Sequence, residues 1–366
     1  MAIVKDTFAR LVESKKWLNG NDFDDIVNNG GREATETALK ELKETAEDIN
    51  NSWEIETIEN KHGRNFEITE DLKFRYRTTR GKERERDISS YAFQQLCTRM
   101  GIPSNYLMKC SEAGKQDLIL DNFKAWADDY KGELSIMSNG VGSIGGDKIT
   151  RAVMSSSFER FDYGKVISNL THTIDLDRWV LIQNFLSEDM MVLRFIDAQS
   201  PYYVDDNSQN YIMATVVTSD VGKSGLHINL SSYRRTCTNG MIVAGRAGTL
   251  YSQAHAGKEM RKSKIIEFSR AFDTASAYGG KFAESIEKCR REVLNKRELE
   301  LWLEKAKHEI KLNKEKMGKL ETLIGTTYDA SVWGVANGVT ELAQDFTLDT
   351  RLAMETWAGN VLSRNL

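Results

Sequence analysis

Hydrophobic and polar positions alternate with period two in many short stretches between residues 53 and 244. The stretches 53–58, 66–68, 72–76, 134–137, 149–154, 178–185, 190–196, 211–218, 225–230 and 241–244 predict strands. Ser187-Glu188-Asp189 between two of them predicts a hairpin. Ser89 stands where a cap precedes an apolar helical face, Tyr91, Phe93, Leu96, Cys97 and Met100. Gly101-Ile102-Pro103 stops that helix. Residues 118–130 are amphipathic, and 163–170 predict a short helix. The charged stretch 78–86, TTRGKERER, reads as an exposed turn. From 258 to about 323 the period changes to that of a helix: Phe282, Ile286, Cys289 and Val293 step by four, three and four, with a break near Asn295. Short helices follow over 328–362. Strands crowded together without regular intervening helices favour antiparallel pairing. The expected class is α+β: a mainly antiparallel central sheet, then long helices, preceded by an acidic helical N-terminal arm. The expected regions are the arm at 1–50, an α+β core at 51–257 and a helical region at 258–366.

Composition changes this picture little. Of the 366 residues, 40% are hydrophobic and 28% charged, which is ordinary for a globular protein. The charge distribution says more. Residues 1–60 carry fourteen Asp/Glu against seven Lys/Arg, while 231–320 have a net charge of +9. Cys97, Cys110, Cys237 and Cys289 are too scattered for a disulfide framework and read as free thiols. No apolar run reaches 18 residues and no signal-peptide core stands out, so no membrane contact and a cytoplasmic location are expected.

Familiar catalytic patterns fail on context. Gly140-Val-Gly142-Ser-Ile-Gly145 matches a dinucleotide fingerprint, but a strand-like run at 149–154 follows where a helix is needed. A glycine-rich loop between two strands is the better reading. Gly222-Lys223-Ser224 resembles the end of a phosphate loop, but its partner glycine is replaced by Val217 and a strand follows. It reads as a hairpin turn with an exposed lysine. The five histidines form no H-x-x-x-H, and there is no Cys-x-x-Cys. Cys237 has no base beside it, and no Gly-x-Ser-x-Gly elbow occurs. No catalytic residue, metal ligand or cofactor is assigned, and the protein reads as a binding protein rather than an enzyme.

The basic and aromatic residues that follow the strand at 225–230 are more informative. They are Tyr233, Arg234, Arg235, Arg246, Tyr251, His255, Arg261, Lys262 and Lys264, with an earlier group at Arg75, Tyr76, Arg77 and Arg80. Phosphate backbones need fixed cations, and unpaired bases need flat side chains to stack on. Arginine serves both ends. Within 258–320 the charges alternate in sign, which describes a solvated helix face for much of that stretch.

Four pieces, in order, resemble the phage/plasmid-like protein family that carries a domain-of-unknown-function label, number nine-three-two. They are Tyr91-Ala-Phe-Gln-Gln-Leu96 through Gly101-Ile-Pro103 to Tyr106-Leu107; Arg151-Ala-Val-Met-Ser-Ser-Ser-Phe-Glu-Arg160; Tyr233-Arg-Arg-Thr-Cys237-Thr-Asn239-Gly240 with His255-Ala-Gly257; and Val332-Trp333-Gly334 with Asn337 and Val339-Thr340. The label implies no activity. A strand-rich centre followed by a long helix is also similar, at fold level, to Rad-fifty-two-like phage single-strand annealing proteins. That similarity implies a homo-oligomer whose Arg234, Arg235 and Arg246 line a groove for single-stranded DNA, with strand annealing in recombination and no covalent step. Two other functions fit the residues: a host-interaction or anti-defence protein that binds a host protein through its acidic ends, and a metal-dependent nuclease or nucleotide hydrolase using His255 and scattered acids.

Overall fold

A computed structural model describes residues 23, 27, 31–51, 53–60, 65–139, 149–187, 189–205, 208–234, 239–243, 248–255 and 262–363. It has mixed α+β content built on two six-stranded sheets and a helical C-terminal part. The first sheet holds β1 (Trp53–Glu59), β2 (Phe66–Ile68), β3 (Phe74–Arg77), β4 (Glu83–Ile88), β5 (Glu133–Asn139) and β6 (Ile149–Ser155), in the order β1-β5-β6-β4-β3-β2. Only β4 and β6 pair in parallel. Helices α2 (Ser90–Met100), α3 (Ser104–Glu112) and α4 (Gln116–Asp129) cover its apolar end, burying Phe66, Phe74, Phe93, Leu96, Phe123 and Ile136 together. The Ser89 cap forms as the sequence predicts, its hydroxyl accepting from the Ala92 amide at 3.1 Å. Gly101 closes the helix at φ 73°, a left-handed conformation that favours glycine.

The exposed turn expected over 78–86 forms at 78–82, but from Glu83 the chain enters β4, a strand made almost wholly of charges. Glu85 faces Arg75 across the ladder, and the Arg75 Nε and Nη2 both donate to it. Arg84 and Arg86 meet Glu54 and Glu56 of β1. Ion pairs across the sheet hold these charges in a strand, Arg86 out of solvent and most of the others still partly exposed.

The second sheet holds β7 (Trp179–Leu186), β8 (Met191–Asp205), β9 (Ser208–Thr218), β10 (Leu226–Arg234), β11 (Asn239–Ile242) and β12 (Thr249–Gln253), all antiparallel. The order is β11-β10-β9-β8-β7, with β12 also on β10. The hairpin between β7 and β8 forms around Ser187. One face carries Leu193, Phe195, Val216, Leu226, Ile228 and Leu230 into the largest core. That face packs against α1 (Gly31–Asn51), α5 (Tyr163–Thr173) and α6 (Lys262–Arg291). Helices α7 (Lys296–Glu309), α8 (Lys314–Thr326) and α9 (Val332–Leu342) complete the core. Asn295 and Glu298 form a capping box at the break that the sequence places there. Helix α1 buries Leu39, Leu42 and Ala46 in this core, and its Thr35 hydroxyl accepts from the Leu181 amide.

The opposite face of the second sheet is crossed by α10 (Leu348–Leu362). Arg194 on β8 and Glu355 on α10 meet there as a salt bridge with both side chains essentially free of solvent, and the Arg351 Nε donates to Glu355 at 3.0 Å. The far half of α10 passes over β11 so closely that a Cβ on Gly359 would lie 2.3 Å from the Ile242 carbonyl oxygen. The end of α10 reaches α6, where the Ser285 hydroxyl donates to the Leu362 carbonyl.

The two sheets are joined by the segment 156–162 and the turn 219–225. Gln95 clamps across them, donating to the Val221 carbonyl and accepting from the Val153 amide, each at 2.9 Å. Arg160 pairs with Asp220, Nε donating to Oδ2 at 3.0 Å, but Oδ1 is buried with no hydrogen-bond partner. Burial therefore outweighs the single-oxygen contact with Arg160 and pushes the Asp220 carboxyl up to about 7.

Two outcomes follow. Glu355→Ala leaves Arg194 charged and buried, and should lower unfolding free energy by about 3–5 kcal/mol in urea titration. The pair Arg194→Met with Glu355→Leu, which removes both charges, should cost less than that single change. For Asp220 the folded value lies above the unfolded one of about 3.9. The native state then holds the extra proton, so stability falls as pH rises from about 4 to about 7 and is level above. Asp220→Asn should flatten that slope in a melting series across those pH values.

Candidate functional site

The end of the second sheet where β10 stops and β11 starts is where the sequence concentrates its basic and aromatic residues. Strand register places Arg234 opposite Asn210 of β9 and Asn239 of β11, and Asn210 opposite Tyr202 of β8. The Arg234 guanidinium is half-buried and lies 5.9 Å from the centre of the Trp333 ring, at the start of α9. Tyr203, next on β8, is 65% exposed. The sequence reading missed it because 202–203 lie outside the periodic run of 190–196, beyond an irregularity in the β8–β9 ladder.

The two tyrosines that were expected to stack on bases are corrected. Tyr233 is 1% exposed and stacks on Phe23 at 5.4 Å, and Tyr251 is 3% exposed with its ring edge-on to Phe268 at 5.3 Å. Neither offers a ring face to a ligand. Tyr233 shares a sheet face with Tyr211 and Met213, which Phe23 covers. Burial holds the Tyr251 hydroxyl up at about 12, and it donates to the Gln253 side chain. His255 is corrected too. Its Nδ1 meets the Glu159 carbonyl at 2.8 Å and its Nε2 the Ser224 carbonyl at 2.7 Å. Phe158 and Phe161 pack on the ring at 4.5 and 4.4 Å. With both nitrogens engaged by backbone, His255 is a tie between the sheets and not a base or a phosphate ligand. Arg235, Arg246, Arg261 and Cys237 lie outside the described residues, as does the loop 140–148. Lys262 and Lys264 fall in the first turn of α6. Of the earlier group, Arg75 pairs with Glu67 and Glu85, Arg77 pairs with Glu83, and the buried Tyr76 donates to Glu56, while Arg80 lies exposed on the turn before β4.

A second location has no sequence signature, because its parts come from far apart in the chain. A cleft of about 770 Å³ lies between α2, the β9–β10 turn and the start of α10. Its walls include Tyr91, Gln94, Leu352 and Thr356, and its floor includes His227 and Asn229 of β10. At the mouth, Lys223 is held by Asp189, lies 3.8 Å from Asp349 and sits 5.2 Å from the centre of the Tyr91 ring. The lysine expected to be exposed on this turn is thus largely covered and ion-paired. Burial keeps the Tyr91 hydroxyl protonated, up at about 12. Burial, with His255 nearby, lowers His227 from its ordinary value, so its ring is neutral near pH 7. Among the described residues, no three His, Cys, Asp or Glu side chains converge as a metal site would require, and no helix is long and apolar enough to cross a membrane.

No curated protein and no solved structure matches the chain. A family match covers β8, the strands after it and the helices through most of α10. It contains both partners of the Arg194–Glu355 salt bridge and most of the cleft lining. Residues 191–356 match the family model described as Domain of unknown function (DUF932).

Proposed function

We propose that the protein binds single-stranded DNA without covalent chemistry, at the end of the second sheet marked by Arg234 and Tyr203. The observation that carries this reading is the Arg234 guanidinium resting on the Trp333 ring at the end of β10, with the exposed Tyr203 ring at the same end of the sheet, two strands away on β8. A cation for phosphate and a flat ring for a base are the minimal elements of sequence-independent strand binding. The +9 balance of residues 231–320 adds a general attraction to polyanions. Lys262 and Lys264, with Arg235, Arg246 and Arg261, extend the cationic set in this proposal. The resemblance to phage and plasmid proteins suits a role in strand annealing during recombination, in the cytoplasm of a bacterial host and as a homo-oligomer. Repetition of the unit around an oligomer would supply the length of groove that annealing requires.

Fluorescence anisotropy with labelled single-stranded oligonucleotides over a salt series tests this. Affinity should fall steeply with salt, and Arg234→Ala with Arg235→Ala should reduce the magnitude of the slope of log K against log salt by about 1.4. Tyr203→Ala, at an exposed position, should weaken binding by about 1–3 kcal/mol for each base it stacks. Circular dichroism confirms that the variants remain folded. No binding at low salt, or binding indifferent to salt and to these changes, overturns the proposal.

A further inference from the structure

The cleft at the joint of the two sheets is built for a particular chemistry. Its mouth holds one cation between two carboxylates, Lys223 with Asp189 and Asp349. Asp349 is 62% exposed and the lysine only 20%, so an approaching anion meets carboxylate before ammonium. That disfavours phosphate, sulfate or carboxylate ligands. The floor, in contrast, is polar and uncharged. The Asn229 side-chain oxygen Oδ1 accepts from the Thr249 hydroxyl at 3.1 Å, which leaves the amide N–H groups for other partners. His227 lies two residues away on the same face of β10, one nitrogen donating and one accepting in the neutral ring. Thr356 and Gln94 add hydrogen-bonding groups from the two facing helices. Met190, Val217, Ile242 and Leu352 provide apolar contact between them. A purely aliphatic ligand would strand the floor groups, and an ion would be opposed at the mouth.

We propose that this cleft binds an uncharged planar heterocycle of the nucleobase type, as in a free nucleoside, with Asn229 and His227 reading its polar edge and Leu352 packing on its face. The Asn229 amide N–H groups match acceptor atoms on the edges of such rings, and the neutral His227 ring can supply a donor or an acceptor beside them. A volume of about 770 Å³ lies within the usual range for small-molecule pockets, about 300–1,000 Å³. Register puts His227 and Arg234 seven residues apart along β10, roughly 23 Å at the usual strand rise. The cleft is therefore a separate site from the strand-binding end of the sheet.

Titration calorimetry and ligand-observed NMR with adenosine, guanosine, cytidine and thymidine, and with their 5′-monophosphates, test the proposal on the full chain. At least one nucleoside should bind saturably, and its monophosphate should bind more weakly. Asn229→Leu should weaken the nucleoside roughly tenfold or more by leaving its polar edge unpaired. Ala353→Trp, at an exposed position on the cleft wall, should block binding by filling the space while leaving the melting temperature unchanged. Tyr203→Ala should leave nucleoside binding intact, which separates this site from the oligonucleotide site. The proposal is overturned by an absence of saturable binding at millimolar nucleoside, by tighter binding of the monophosphate, or by binding that survives both Asn229→Leu and Ala353→Trp.

Discussion

A single buried ion pair sets the geometry of the second half of this protein. Arg194 and Glu355 are 161 residues apart in sequence and both lie out of water. Two charges cannot be left unpaired in such surroundings, because each alone carries a desolvation cost of several kcal/mol. Arg194 feels this directly: burial lowers its affinity for its proton, and Glu355 pulls it back. The pair thus makes the docking of α10 on the sheet strongly position-specific. An apolar contact tolerates sliding, whereas this one loses most of its worth if either partner shifts. The first half of α10 is held over the sheet face, and Asp349, Leu352 and Thr356 become the wall of the cleft as a result. Both partners fall within the family segment 191–356.

The joint between the sheets depends on a different economy of contacts. Gln95, Arg160, Asp220 and His255 each bind backbone or a charge on the other segment, while Phe158 and Phe161 enclose the histidine ring. Polar residues that look available for chemistry in the sequence are consumed in holding two lobes together. The same holds for the charged strand β4, whose arginines are matched by glutamates of β1 and whose Glu85 is matched by Arg75. Much of the apparent charge of the chain is therefore internal structure.

The two proposed binding regions differ in kind. The end of the second sheet carries a half-buried cation on β10 and, two strands away, an exposed ring on β8, elements that would suit a long polyanion with accessible bases. The cleft has its one lysine compensated and its histidine neutral, which suits an uncharged ring. Their separation along β10 lets each be altered without touching the other.

Most of the strands, the antiparallel preference, the cap at Ser89 and the helix break near Asn295 were legible from local pattern alone, while β4 and β12 were not. These features depend on neighbours within a few residues, through side-chain alternation and hydrogen bonds to the next turn. Tyr233 shows where local pattern stops. Its position on β10 is readable, but whether its ring meets water depends on Phe23, some 210 positions earlier. His255 reads as a reactive group until the carbonyls of Glu159 and Ser224 are placed on either side of it. The cleft has no motif, since its residues converge from 91 to 356. The sequence by itself determined most of the segments that form strands and helices and where basic charge gathers. Tertiary structure decided which of those side chains face water, because burial depends on what the rest of the chain lays over a surface, and no local spacing records that.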